Sequence, residues 1–264
     1  MRLATWNVNS IRSRIDRLEA WLQRNDIDVL ALQESKARDD QFPFDRLRAA
    51  GYEVAHHGFN QWNGVAILSR VGLADVKVGF DAPEWNEATE ARAIGATVGS
   101  GRDAVRLWSV YVPNGRHIED PHMDYKIAWL ERLLAGARPG IDSPLPLALC
   151  GDWNIAPFDE DVWLMEFYID KSHVSPRERA AFHAFLDAGF VDVVRPHAPG
   201  PKDYTYWDYQ QLRFQKGRGM RIDFILGNPA FADRVTGAAI DREERKGAGA
   251  SDHAPVVVQL GSQS

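Results

Sequence analysis

The chain predicts a single α/β domain, on two observations. Apolar segments rich in β-branched residues alternate with helix-spaced stretches from end to end, and hairpin-like regions interrupt that alternation. The 264 residues, 45% hydrophobic and 26% charged, are sufficient for a sizeable core. Leu3 to Val8 and Ile27 to Leu32 read as strands flanking an amphipathic helix, whose Ile15, Leu18 and Leu22 share one face. After Asn63-Gly64, the run Val65 to Leu68 reads as a buried strand. Ala104 to Val112 and Leu145 to Leu149 follow as strands, separated by a helix around Tyr125 to Leu134. Ser175-Pro176 is a helix start, so Arg177 to Leu186 reads as helical. Short strands are expected at Tyr204 to Asp208, Arg221 to Leu226 and Pro255 to Leu260. The Pro/Gly clusters from Pro139 to Pro146 and from Pro196 to Pro201 are too short for linkers and read as surface loops, so one domain is expected over 1–264.

Composition excludes several classes. With 31 Lys and Arg against 37 Asp and Glu, the net charge is −6, which argues against coating nucleic acid through bulk charge but leaves room for a local basic cleft. The one cysteine, Cys150, rules out an internal disulfide and a cysteine-rich zinc module. No apolar run suits a signal peptide, and none approaches the roughly 20 residues of a membrane span. A cytoplasmic location is therefore expected, with no membrane and no obligate protein partner.

Polar residues recur at the ends of the apolar strands, where loops can present them at a cleft. They are Asn7, Glu34, Tyr111, Asn114, Asp152, Asn154, Asp223, Asp252 and His253. Singly, each is more often a turn former or a helix cap. Together they form an inventory of carboxylates and amides with one histidine, which suits a hard cation and phosphate oxygens and is wrong for zinc or copper.

The local forms carry a resemblance. Trp6-Asn7-Val8-Asn9 with Ile11-Arg12-Ser13-Arg14, Leu32-Gln33-Glu34-Ser35-Lys36, Asn63 to Ser69 and Tyr111-Val112-Pro113-Asn114-Gly115 open the series. Gly151-Asp152-Trp153-Asn154-Ile155-Ala156-Pro157, Tyr206-Trp207-Asp208-Tyr209, Gly219-Met220-Arg221-Ile222-Asp223 and Ser251-Asp252-His253-Ala254-Pro255 complete it. The chain resembles the exonuclease III family of abasic-site endonucleases, within the endonuclease/exonuclease/phosphatase superfamily, over essentially its whole length. The resemblance implies a four-layer α/β sandwich: two mixed sheets face to face, helices outside and one catalytic face of strand-end loops.

It also implies the chemistry. A phosphodiester needs a cation on its phosphate, a positioned water and help for the leaving oxygen. Glu34 would bind magnesium, for which manganese can substitute, with Asn7, Asp252, Asp152 and Asn154 as further ligands, direct or through water. Asp152 would position or deprotonate water, and Asn154 would orient phosphate or metal. Asp223 would hold His253 protonated beside the phosphate; whether that ring polarises the phosphate or acts as a base stays open. Tyr111 would contact the phosphate, and Asn114, on the same loop, would bind substrate. The other seven histidines read as surface or core residues.

Substrate grip is expected from Arg12 and Arg14, from Lys36, Arg38 and Arg116, and from the acid-free group Arg213, Lys216, Arg218 and Arg221. Tyr206, Met220 and Ile222, with Trp207 alongside, match the positions of the family's pocket for a flipped-out abasic sugar. Relatives often carry Trp or Phe at the position of Tyr206, Leu or Trp at that of Met220, and some have aspartate at that of Asn9. The implied activity is incision of duplex DNA on the 5′ side of abasic sites, with 3′–5′ exonuclease action and cleaning of blocked 3′ ends, the balance among these staying open. Two readings compete: a phosphatase or phosphodiesterase of the same superfamily on a non-DNA substrate, and an inactive DNA-binding module. A serine hydrolase is excluded, because the adjacent Ser251, Asp252 and His253 cannot form a triad with one another and no nucleophile elbow is present.

Overall fold

The computed structural model describes residues 1–80, 90–200 and 202–261; Pro201, the end of the second expected loop, lies outside them. In chain order the elements are β1 (Arg2–Asn7), α1 (Ile11–Arg24), β2 (Val29–Gln33), α2 (Phe44–Ala49), β3 (Glu53–His57), β4 (Val65–Ser69), β5 (Leu73–Val78) and β6 (Ala93–Val98). Then come β7 (Val105–Tyr111), α3 (Pro121–Ala137), β8 (Leu147–Asp152), α4 (Met165–Tyr168), α5 (Pro176–Asp187), β9 (Val191–Asp192), β10 (Asp223–Gly227), α6 (Pro229–Ala232), β11 (Val235–Ile240) and β12 (Val256–Leu260). Among the described residues they build two six-stranded sheets, ordered β11-β12-β1-β2-β4-β3 and β5-β6-β7-β8-β10-β9. Each sheet has a central parallel pair, β1–β2 in the first and β7–β8 in the second, flanked by antiparallel neighbours.

Burial explains the four layers. Between the sheets, Val29, Ala31 and Ile67 meet Ala96, Leu107 and Ile225. Outside the first sheet, Ile15, Leu18 and Trp21 of α1 cover Leu30 and Ala66. Outside the second, Trp129 and Leu133 of α3 and Phe182 and Phe185 of α5 cover Leu149 and Phe224. Strands covered on both faces lose the polar alternation of a half-buried sheet, which is why β2, β4 and β8 read as unbroken apolar runs.

Most expected elements appear within a few residues of their expected ends. Ser175 caps α5 as expected, its hydroxyl accepting from the Glu178 amide while the Glu178 side chain returns to the Ser175 amide. Tyr204 to Asp208 is a correction: it is not a strand, and only Tyr206 makes isolated bridges, to Met220 and His253. The sequence signals no strand at β3, β5, β6, β9 or β11; at the sheet edges, β5 is largely exposed and β11 half-buried. No helix among the described residues is long and apolar enough to cross a membrane.

Two features pin the sheets near their carboxyl ends. Gln33 donates to Thr5 Oγ1 and to Ser109 Oγ, both at 3.0 Å, and Ser109 donates to the Leu32 carbonyl across the sheet interface at 2.9 Å. Gly151 lies so close to β7 that a Cβ there would stand 1.8 Å from the Val110 carbonyl oxygen. Gly151→Ala must therefore push β7 and β8 apart beside Asp152. Such overpacking is expected to destabilise by about 1–3 kcal/mol, and an unchanged thermal melt would contradict this account of the strand contact.

Candidate active site

The side chains that converge are contributed by both sheets at the same edge. Asn7 ends β1, and Glu34 follows β2. Tyr111 ends β7 and lies in register with Asp152, which ends β8 and in turn pairs with Asp223 at the start of β10. His253 precedes β12. Ligands of open α/β sheets sit beyond the carboxyl ends of parallel strands, and here two such ends face one another.

His253 is the electrostatic centre. Its Nδ1 lies 2.9 and 3.1 Å from the two carboxylate oxygens of Asp223, while Nε2 faces Asp152 Oδ2 at 3.7 Å. Burial alone would strip the ring of its proton, but Asp223 and Asp152 outweigh it and push His253 up to about 10. A raised folded value means that this pair contributes stability fully below the ordinary value of 6.5 and loses it as pH rises through about 10. Asp152 is raised as well: burial pushes its carboxyl up to about 7, opposed by the His253 charge.

Asn7 joins the carboxylates. Its Nδ2 donates to Glu34 Oε1 at 2.8 Å and to Asp152 Oδ2 at 2.9 Å, while its Oδ1 accepts from the Asn9 amide at 3.0 Å. Its oxygen is thus turned to the backbone of Asn9, and its amide nitrogen spaces the two acids. Burial would raise Glu34, but Lys36 at 2.8 Å, with Asn7 and His253, holds it below its ordinary value. Tyr111, half-buried and set against Glu34 and Asp152, is raised well above the usual phenol range and keeps its proton.

Glu34, Asp152 and His253 present ligand-type atoms within 4.8 Å of one another. The carboxylate oxygens fit a hard divalent cation, and Lys36 already places a positive charge on Glu34. His253 fits less well, since Nδ1 is committed to Asp223 and the ring holds its proton. Asp252 stands beside this group, accepting from Asn9 Nδ2 at 3.0 Å. Asn9, Glu34, Lys36 and Asn154 all have positive φ, 45°, 53°, 49° and 50°, so the site is built from backbone that most residues avoid.

A groove of about 570 Å³ borders the site, lined by Tyr206, Met220, Phe167, His173, Arg213 and Arg218 among others. Tyr206 packs its ring 4.9 Å from that of His253. A second depression of about 460 Å³ is lined by Arg12, Arg38, Gln41, Asn60, Gln61 and the exposed Trp62. Asn114 is exposed on its loop, its amide 3.4 Å from Asn154 Oδ1.

Three of the residues expected to bind substrate lie inside the fold. Trp207 is buried, with Tyr204, Ala254 and the edge of Phe214 around it. Ile222 is buried among Ala156, Val162 and Met220, behind the groove. Arg221 is 1% exposed, donating to both oxygens of Asp192 at 2.7 and 2.8 Å and lying over the Phe224 ring. Arg14 is also committed to the fold, bonded to the Asn9 and Ala250 carbonyls and to Tyr209. No recognisable motif contains His173, so its sequence position gives no signal of a role. It reaches the site from the loop before α5, with Nε2 3.3 Å from Asn154 Oδ1, and burial, aided by Lys126, lowers it to about 4, a neutral ring.

Paired carboxylates, a buried proton-holding imidazole and a cation-compatible pocket at facing strand ends define a metal-assisted phosphoester hydrolase of two-sheet architecture. Within that class, the chain belongs to the endonuclease/exonuclease/phosphatase family, whose model matches residues 4–253. It is 31% identical to exodeoxyribonuclease III of Haemophilus influenzae over 97% of this chain and 98% of that one. Its fold is similar to that of an AP endonuclease from Archaeoglobus fulgidus, with a TM-score of 0.92, 34% identity and coverage of 98% and 99% of the two chains. It is also similar to a 3′ phosphatase from Neisseria bound to a product DNA hairpin, with a TM-score of 0.91, 37% identity and 99% coverage of both.

Arg221→Met distinguishes a role for Arg221 in the fold from one in substrate contact. Asp192 would keep the Val194 and Arg195 amides and a more distant Arg195 guanidinium, at 3.9 Å, but lose both bonds to Arg221; a loss of about 1–3 kcal/mol is expected, read as a lowered unfolding midpoint. Unchanged stability together with a shallower salt dependence of DNA binding would return Arg221 to the substrate-contact group.

Proposed function

We propose that this chain is a DNA repair nuclease that hydrolyses phosphodiesters in duplex DNA at abasic sites and at 3′ ends, with magnesium as its working cation and manganese as a substitute. The observation that carries the reading is the 3.7 Å approach of a protonated His253, braced by Asp223, to a carboxylate, Asp152, whose proton affinity lies near neutrality. One face of that gap holds positive charge for a phosphate oxygen. The other holds a base able to take a proton from water.

The other side chains follow from their positions. Tyr111, protonated and beside both acids, donates to a phosphate oxygen. Asn154, whose Nδ2 is tied to the Val112 carbonyl at 2.9 Å, and Asn114 orient the phosphate. A divalent cation held by Glu34 and Asp152, with Asp252 through water, would neutralise phosphate charge and ease departure of the leaving oxygen. Arg12 and the Arg213–Arg218 side of the groove hold neighbouring phosphates. Tyr206 and Met220 wall the space into which a baseless sugar would turn. The reading includes a cytoplasmic location and no obligate protein partner.

The test is a duplex carrying one abasic-site analogue, labelled at either end and incubated over a magnesium titration. Incision 5′ to the lesion and shortening from the 3′ end are expected in wild type. Glu34→Gln should need several-fold more metal for half-maximal cleavage. A chelator-insensitive wild type, or an unchanged metal titration in the variant, would contradict the assignment.

A further inference from the structure

Behind the catalytic loops lies an ion pair that the chemistry above does not use. Lys126 on α3 and Glu178 on α5 are both completely buried, Nζ to Oε1 at 2.6 Å. An ion pair stripped of water gains little net stability, because desolvation offsets the attraction, so stability alone does not explain why this one is here. Its remaining bonds are more informative. Lys126 Nζ donates to the Asn154 carbonyl at 2.6 Å, and Glu178 Oε1 accepts from the His173 amide at 2.9 Å. Glu178 Oε2 accepts from the Ser175 hydroxyl at 2.6 Å, which locks the carboxylate into the α5 cap.

The two backbones so gripped are unusual. Asn154 has φ 50° and His173 has φ 78°, both in the left-handed region that few residues other than glycine, asparagine, aspartate and histidine adopt. Their side chains then meet on the far side, His173 Nε2 to Asn154 Oδ1 at 3.3 Å. Asn154 also donates its own amide to Asp152 Oδ1 at 2.9 Å, so a shift of this loop is passed to the base.

We infer that Lys126 and Glu178 are positioning residues for hydrolysis: the buried pair clamps the loops of Asn154 and His173 from behind and sets where the Asn154 carboxamide and Asp152 meet the phosphate. This rests on the nuclease reading above, and on Asn154 being part of its machinery.

The experiment is a double-mutant cycle on the abasic duplex. Lys126→Met combined with Glu178→Gln removes both charges and keeps comparable bulk. Its unfolding midpoint should stay near wild type, with kcat down about tenfold or more and KM within about twofold. In an Asn154→Ala background the same pair of changes should cost little further, because the residue it positions is already gone. Lys126→Arg, which keeps the charge and donors, should recover most of the rate. Wild-type kcat in the folded double variant, or losses that simply add to that of Asn154→Ala, would overturn the inference. If the double variant fails to fold, Glu178→Gln alone decides by the same cycle. A wild type that does not cleave DNA would instead sink the nuclease reading.

Discussion

The contact between Asp223 and His253 is the interaction on which the rest of the site depends. It crosses from one sheet to the other, since Asp223 starts β10 and His253 leads into β12. Removing either side chain would do more than delete a hydrogen bond. Without Asp223, a ring that is 3% exposed would find its charge disfavoured by burial, and Asp152 would lose the cation facing it. The two acids and the ring thus form one electrostatic unit, in which the proton on His253 makes tolerable two carboxylates that would otherwise repel.

That unit can exist only because two sheets end together. Register places Tyr111, Asp152 and Asp223 side by side on three adjacent strands. Asn7 and Glu34 arrive from the facing sheet, and the Asn7 amide spans the gap to both acids. The buried Gln33–Ser109 and Ser109–Leu32 contacts hold the sheets at that spacing, and the close passage of Gly151 sets β8 against β7 within the second sheet. The precision of the site is therefore a property of the interior beneath it, while the substrate-facing loops are left with the arginines and aromatic rings that line the grooves.

Much of this was legible in the sequence, for identifiable reasons. Unbroken apolar runs announced the doubly covered strands, and Ser175-Pro176 announced α5. The polar residues at strand ends pointed to one catalytic face because a strand's end is where the core stops. What could not be read was the direction of a side chain within a motif. Trp207 and Ile222 stand in the same short blocks as Tyr206 and Met220, yet face inward, because the bridges of Tyr206 to Met220 and His253 orient that segment. Arg221 looked like a phosphate contact because its partner, Asp192, lies 29 residues away in sequence. The edge strands β5 and β11 bury too little to leave a period-two signature, and the Lys126–Glu178 pair lies within helices whose apolar faces gave no hint of a buried charge.

The most direct measurement is the titration of the His253 ring by NMR in wild type and in Asp223→Asn. With Asp223 present the imidazolium should persist through neutrality and lose its proton only near about 10. With the carboxylate replaced by an amide, burial is opposed only by Asp152 and Asp252, and the ring should titrate well below that. A His253 that titrates at the same pH in both proteins would contradict the account, because the charge facing the phosphate would then not depend on the contact between the sheets.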